Sequence, residues 1–101
     1  MPSVIHGMLK EEKERNLELQ ELYTREINSL PKGSIIVKRI SGKDYHYLKY
    51  WENNKANMGY LGKDEALIEQ TRFRIKRRKH LQEVVKRLKE EYKEMCKIVK
   101  D

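Results

Sequence analysis

The densest chemistry in this sequence is Arg72-Phe73-Arg74-Ile75-Lys76-Arg77-Arg78-Lys79-His80, six Lys or Arg in nine residues with a terminal histidine. At about 100° per residue on a helix, these cations wrap the axis and do not share one face. Phe73, Lys76, Arg77, His80 and Val84 form one stripe, and Arg72, Lys76 and Lys79 lie beside it. Cations crowded around two turns repel one another unless anions neutralise them. Phosphates do this well, because each Lys or Arg contact releases a condensed counterion. Only Glu69 and Glu83 flank the run, too few to neutralise it within the helix. The competing reading is a solvated face with intrahelical pairs.

A second cluster interleaves Lys38, Arg39, Lys43, Lys49, Lys55 and Lys63 with Tyr45, Tyr47, Tyr50, Trp51 and Tyr60. Basic residues supply salt-dependent attraction, and exposed rings stack on unpaired bases. With a single Phe in the chain, some of these rings must also build the core. One aromatic face is therefore expected to pack, leaving at most two or three rings for a ligand. Lysines along a sheet edge also guard against strand pairing.

Other reactive residues lack company. His6, His46 and His80 show no ligand spacing, and Cys96 has no second cysteine or nearby histidine, which argues against a metal site. Cys96 beside Met95 reads as a small buried apolar residue, since a nucleophile needs a base within reach. Asp44 and Asp64 read as turn and capping groups, and no Gly-rich phosphate loop precedes a helix. No enzymatic constellation emerges, and no cofactor or small-molecule substrate is expected.

The elements that must position these groups are legible from hydrophobic period. Leu19, Leu22, Tyr23, Ile27 and Leu30 recur at three- and four-residue steps, predicting a helix over 8–30 that Pro31 and Gly33 terminate. Every residue from Lys10 to Asn16 is polar, so the first turns should extend past the packed body. Ile35, Ile36, Val37 and Ile40 are strand chemistry, closed by a four-residue turn at Ser41-Gly42-Lys43-Asp44. The next strand puts Tyr45, Tyr47 and Trp51 on one face and Leu48 and Tyr50 on the other. Glu52-Asn53-Asn54-Lys55 forms a second turn before a third strand, Ala56 to Leu61. A meander over 34–61 results. Asp64 then caps a helix over 65–99, with no Gly or Pro from 63 onward. Its seam of Leu81, Val85, Leu88, Tyr92, Met95 and Val99 steps by fours and threes, a heptad pattern, and Ile68, Thr71 and Ile75 carry it back toward the sheet. That seam is expected to bury itself on the first helix, in a homodimer through the second helix, or on a partner. The fold class is α+β, one domain over 1–101: helix, three-stranded antiparallel meander, long helix.

Leu30-Pro31-Lys32-Gly33-Ser34, the Gly42…Tyr45-x-Tyr47-Leu48-x-Tyr50 stretch and Gly59-Tyr60-Leu61-Gly62-Lys63-Asp64 resemble a pattern in small, uncharacterised helix/β-hairpin/helix proteins of Gram-positive bacteria and their mobile elements. The likeness covers residues 28–82 and rests on turn and aromatic positions. It implies the fold, and loosely a phage or mobile-element origin, but carries no functional residues across.

Composition sets the outer limits. The 101 residues carry 23 Lys and Arg against 16 Asp and Glu, a formal net charge of +7. Residues 1–30 sum to −2, 31–63 to +5 and 64–101 to +4, an oriented electrostatic surface. Charged residues at 39% leave little material for a deep enclosed site. No run is apolar enough to span a membrane, and the start, lacking a basic segment followed by an apolar one, is not expected to be a signal peptide. A lone cysteine fits a reducing cytoplasm. The expectation is a non-enzymatic basic protein binding nucleic acid or a nucleoprotein. In its sharpest form it inhibits a host defence nuclease, as anti-CRISPR proteins do. The alternative is a coiled-coil adaptor or antitoxin-like protein acting through the second-helix seam.

Overall fold

A computed structural model describes residues 3–99 as α1 (Val4–Ser29), β1 (Ser34–Ile40), β2 (Lys43–Glu52), β3 (Lys55–Gly62) and α2 (Glu65–Ile98). The strands form one antiparallel sheet in the order β1-β2-β3, so the expected α+β meander between two helices is present. No helix among the described residues is long and apolar enough to cross a membrane. The chain divides into two compact units, Leu30–Lys79 and the residues up to Ser29 together with those from His80 onward.

In the helical unit, α1 begins four residues earlier than its apolar period suggests. Ser3 supplies the reason: its Oγ accepts from the His6 N–H at 3.1 Å, an N-cap that sets the start at Val4. Gly7 then sits inside the helix, tolerated at about 1 kcal/mol relative to alanine. The polar stretch expected to project beyond the packed body does not. Lys13 and Asn16 are only 6% and 5% exposed. Lys13 Nζ donates to the Val99 carbonyl at 3.0 Å and lies 5.7 Å from the Tyr92 ring centre. Asn16 Nδ2 donates to the Leu88 carbonyl at 2.9 Å while its Oδ1 accepts from Gln20. The buried stripe of α1 thus runs through Lys13, Asn16 and Ile27, whereas Leu22 faces solvent. Along α2, Leu81 is fully buried and Val85 buried, with Leu88, Tyr92, Met95 and, just past the helix end, Val99 half-buried. Leu88, Tyr92 and Val99 are the residues that meet Asn16 and Lys13.

In the sheet unit both hairpins are tighter than four-residue turns. Ser41 and Gly42 have φ of 52° and 78°, and Asn53 and Asn54 have 54° and 60°. Two consecutive positive φ values make the two-residue turn whose twist matches the strands. Lys43, Asp44, Glu52 and Lys55 therefore belong to strands, and β3 extends to Gly62. Asp64 caps α2 as expected, its Oδ1 accepting from Ala66 and Leu67 N–H at 3.0 and 3.2 Å. Ile68, Thr71 and Ile75 are buried, and Ile35 shares a cleft with Ile75. The sheet side bearing Ile35, Leu48 and Tyr50 accordingly turns toward α2.

Candidate functional site

Cross-strand register decides what the other side of the sheet presents. The pairs Lys38–Tyr45, Ile36–Tyr47 and Ser34–Lys49 join β1 to β2, and Tyr47–Tyr60, Lys49–Met58 and Trp51–Ala56 join β2 to β3. Paired residues share a face. This open face therefore gathers Tyr45, Tyr47, Trp51 and Tyr60 with Lys38, Lys43 and Lys49. Trp51 and Tyr60 are each 63% exposed, while Tyr45 and Tyr47 are half-buried. Tyr60 packs against Tyr45 and Tyr47 with ring centres 6.4 and 5.4 Å away. Lys38 Nζ stands 5.4 Å from the Tyr47 ring centre, and Lys63 Nζ 5.1 Å from that of Tyr45. No strand residue on this face is acidic. Asp44 and Glu52 fall on the opposite side, where Asp44 meets Arg39 at 3.6 Å.

The basic residues expected to act together are thus divided. Lys38, Lys43 and Lys49 join the aromatic face; Arg39 and Lys55 do not. On α2, Arg72 Nε pairs with Glu69 Oε1 at 3.3 Å, and Arg74, Arg77 and Arg78 are each engaged in interactions within the chain. Lys76, Lys79 and His80 are exposed, as is Phe73 at 70%. Arg72, Lys76 and Lys79 line one cleft of about 180 Å³ with Gly33, Ser34, Ile35 and Ile75. The rings of Tyr45, Tyr47, Trp51 and Tyr60 are the candidate residues that charge counting alone passes over. Their signal is the two-residue alternation in β2 and, for Tyr60, the hairpin register that pairs it with Tyr47.

Charge separates by unit. Leu30–Lys79 holds thirteen Lys and Arg against five Asp and Glu, a formal +8. The remainder is close to neutral. A groove of about 460 Å³ in the helical unit has Leu19, Leu88 and Met95 in its walls, but Glu12, Glu91 and Glu94 line it too, the wrong sign for a polyanion. Among the described residues no cluster of His, Cys, Asp and Glu fits a metal ion. Cys96 is half-buried.

Residues 9–70 match the family described as Domain of unknown function (DUF6788), more than half of the chain. The protein belongs to this family. The match begins within α1, takes in all three strands, and ends at Gln70 in α2. Within the DUF6788 span lie Lys38, Lys43, Lys49, Lys63 and the four rings of the open face. Arg72, Lys76 and Lys79 fall just past it. Neither curated proteins nor solved structures give a match.

Proposed function

We propose that this DUF6788 protein binds nucleic acid without catalysis, through the open face of its sheet. One observation carries the reading: four aromatic rings and four lysines share a surface whose strands place no carboxylate there. Each component has its use. A base stacked on an exposed ring contributes about 1–3 kcal/mol regardless of base identity. Lysine contacts to phosphate add attraction that weakens as salt rises. The cation–π contacts of Lys38 and Lys63 hold two ammonium groups near the rings, so charge and stacking surface arrive preorganised. The formal +8 of the sheet unit adds long-range attraction. An adaptor working through the α2 seam draws less support, because Leu81 and Val85 are buried.

Fluorescence anisotropy with a labelled oligonucleotide tests this. Four phosphate contacts on a single strand predict roughly 50-fold weaker binding when salt rises from about 50 to 200 mM. Lys43→Glu with Lys49→Glu should abolish binding and leave the circular dichroism unchanged, since both side chains are exposed. Binding indifferent to salt, or to the double reversal, would overturn the reading.

A further inference from the structure

The Gly33–Ser34 corner belongs to two hollows at once. One, of about 310 Å³, has Gly33, Ser34, Lys49, Tyr50, Trp51 and Ala56 around it. The other is the cleft of Arg72, Lys76 and Lys79, with Ile35 and Ile75 in its walls. We propose that this corner binds one unpaired nucleotide of a single strand, its base on Trp51 and its phosphate among Arg72, Lys76 and Lys79. The inference rests on the sheet-face reading and names the substrate class: single-stranded nucleic acid.

The chemistry of each half differs as the two halves of a nucleotide do. The first hollow has a flat, 63% exposed indole, the small side chain of Ala56 beside it, and one lysine. A ring in such a place takes the face of a base, which a duplex keeps inside its own stack. The second has three cations at i, i+4 and i+7 along α2, one above another on one side of the helix. Glu69 holds Arg72 through Nε, so the two terminal nitrogens of the guanidinium stay available to an anion. Lys76 and Lys79 have no hydrogen-bond or ion-pair partner among the described residues. Gly33 and Ser34 line both hollows, and Gly33 shapes the corner between them. At φ of +110° a Cβ there would collide with the Lys49 carbonyl oxygen, so the chain lies directly against β2. Ser34 lines both hollows, so a sugar can cross there.

Trp51 is the sole tryptophan of the chain, so its fluorescence reports on the base half alone. The full chain is titrated with an oligothymidylate of about 12 nucleotides, an abasic strand of equal length, a duplex, and free thymidine monophosphate. The oligothymidylate should quench Trp51; the abasic strand should bind without quenching, and the duplex and mononucleotide should not quench at matching concentration. Lys76→Gln with Lys79→Gln should weaken the oligothymidylate about tenfold at constant quench amplitude, and reduce the salt slope by about 1.4. Equal quenching by the abasic strand or the duplex overturns the base half. Quenching by the mononucleotide at matching concentration overturns the strand as ligand. An unchanged slope in the double variant overturns the phosphate half. If Lys43→Glu with Lys49→Glu abolishes binding while Trp51→Ala and the Lys76/Lys79 pair are inert, this inference falls and the sheet-face reading stands. Failure to bind any of these strands by anisotropy overturns the sheet-face reading itself.

Discussion

Tyr60 meets Tyr47 edge to face, with ring centres 5.4 Å apart and planes at 61°. The unbroken register from the Asn53–Asn54 turn pairs the two residues directly, and an extra residue in β3 follows the pair. Tyr47 pairs with Tyr60 but His46 pairs with Gly62, so Leu61 is the bulged residue between them. A bulge re-aims the side chains on either side of it. Gly62 follows with φ of +73°, and a Cβ there would lie 3.2 Å from the Tyr60 ring. The ring is thus seated against Tyr45 and Tyr47 and close to Gly62, where a side chain would crowd it.

Tyr60→Ala removes the ring at the centre of this cluster. Oligonucleotide affinity should fall about tenfold, within the range of one lost base stack. Stability should drop by about 1 kcal/mol, the magnitude of an aromatic edge contact. Tyr60→Phe should preserve both, because the ring makes the contacts and the residue is largely exposed. Anisotropy and thermal unfolding of the three proteins check this. An alanine variant that binds like the parent would remove Tyr60 from the interface.

Two glycines with positive φ separate backbone strain from steric conflict. Gly42, at φ +78°, has open space where a methyl group would stand, with nothing within 4 Å, so Gly42→Ala should cost only the left-handed strain, about 1 kcal/mol. Gly33→Ala adds a collision with the Lys49 carbonyl and the Tyr50 Cβ, and should cost about 3 kcal/mol or more. Urea unfolding of both variants measures the difference. Equal costs would mean the Gly33 corner yields without loss.

Much of this fold is legible in the sequence because the hydrophobic period switches cleanly. Steps of three and four before Leu30 give way to β-branched and aromatic alternation, and then to the uninterrupted run after Asp64. The alternation also places Tyr45, Tyr47 and Trp51 together on one face. Tyr60 joins them through the register of the second hairpin, which pairs it directly with Tyr47, whereas no local pattern marks the bulge at Leu61 that follows. The hairpin turns read longer in the sequence than they are because Lys43, Asp44, Glu52 and Lys55 are polar, and polarity does not distinguish a turn from a strand facing water. Lys13 and Asn16 are hidden for the converse reason: hydrophobic period assigns every polar residue to solvent, yet these two are satisfied by carbonyls of residues 99 and 88. The cationic run is visible as a count. That Arg72, Lys76 and Lys79 share a cleft with Gly33 requires the packing of β1.

Asn16 gives the most exacting test of the helical unit. It is 5% exposed, its Nδ2 donates to the Leu88 carbonyl, and Leu88 lies inside α2, where that carbonyl already accepts a helical hydrogen bond. Removing the amide therefore leaves no carbonyl unsatisfied. Asn16→Leu should stay within about 1 kcal/mol of the parent, since apolar packing replaces a buried polar group, the Leu88 carbonyl stays paired within α2, and the half-buried Gln20 amide that bonds Asn16 Oδ1 can turn to water. Asn16→Asp keeps the shape but turns a donor into a carboxylate oxygen facing a carbonyl oxygen. At neutral pH it should cost about 2–3 kcal/mol, from charge burial and the lost donor. Protonation gives the new carboxyl an O–H that can donate to Leu88, so folding favours the protonated form. Its folded pKa then lies above the unfolded one, and the loss of stability sets in as pH rises and recedes toward about pH 4. Urea unfolding of the parent and both variants at acid and neutral pH, followed at the helical dichroism band, measures each shift. An Asn16→Asp variant as stable as the parent at neutral pH would mean the Asn16–Leu88 contact does not hold α1 against α2.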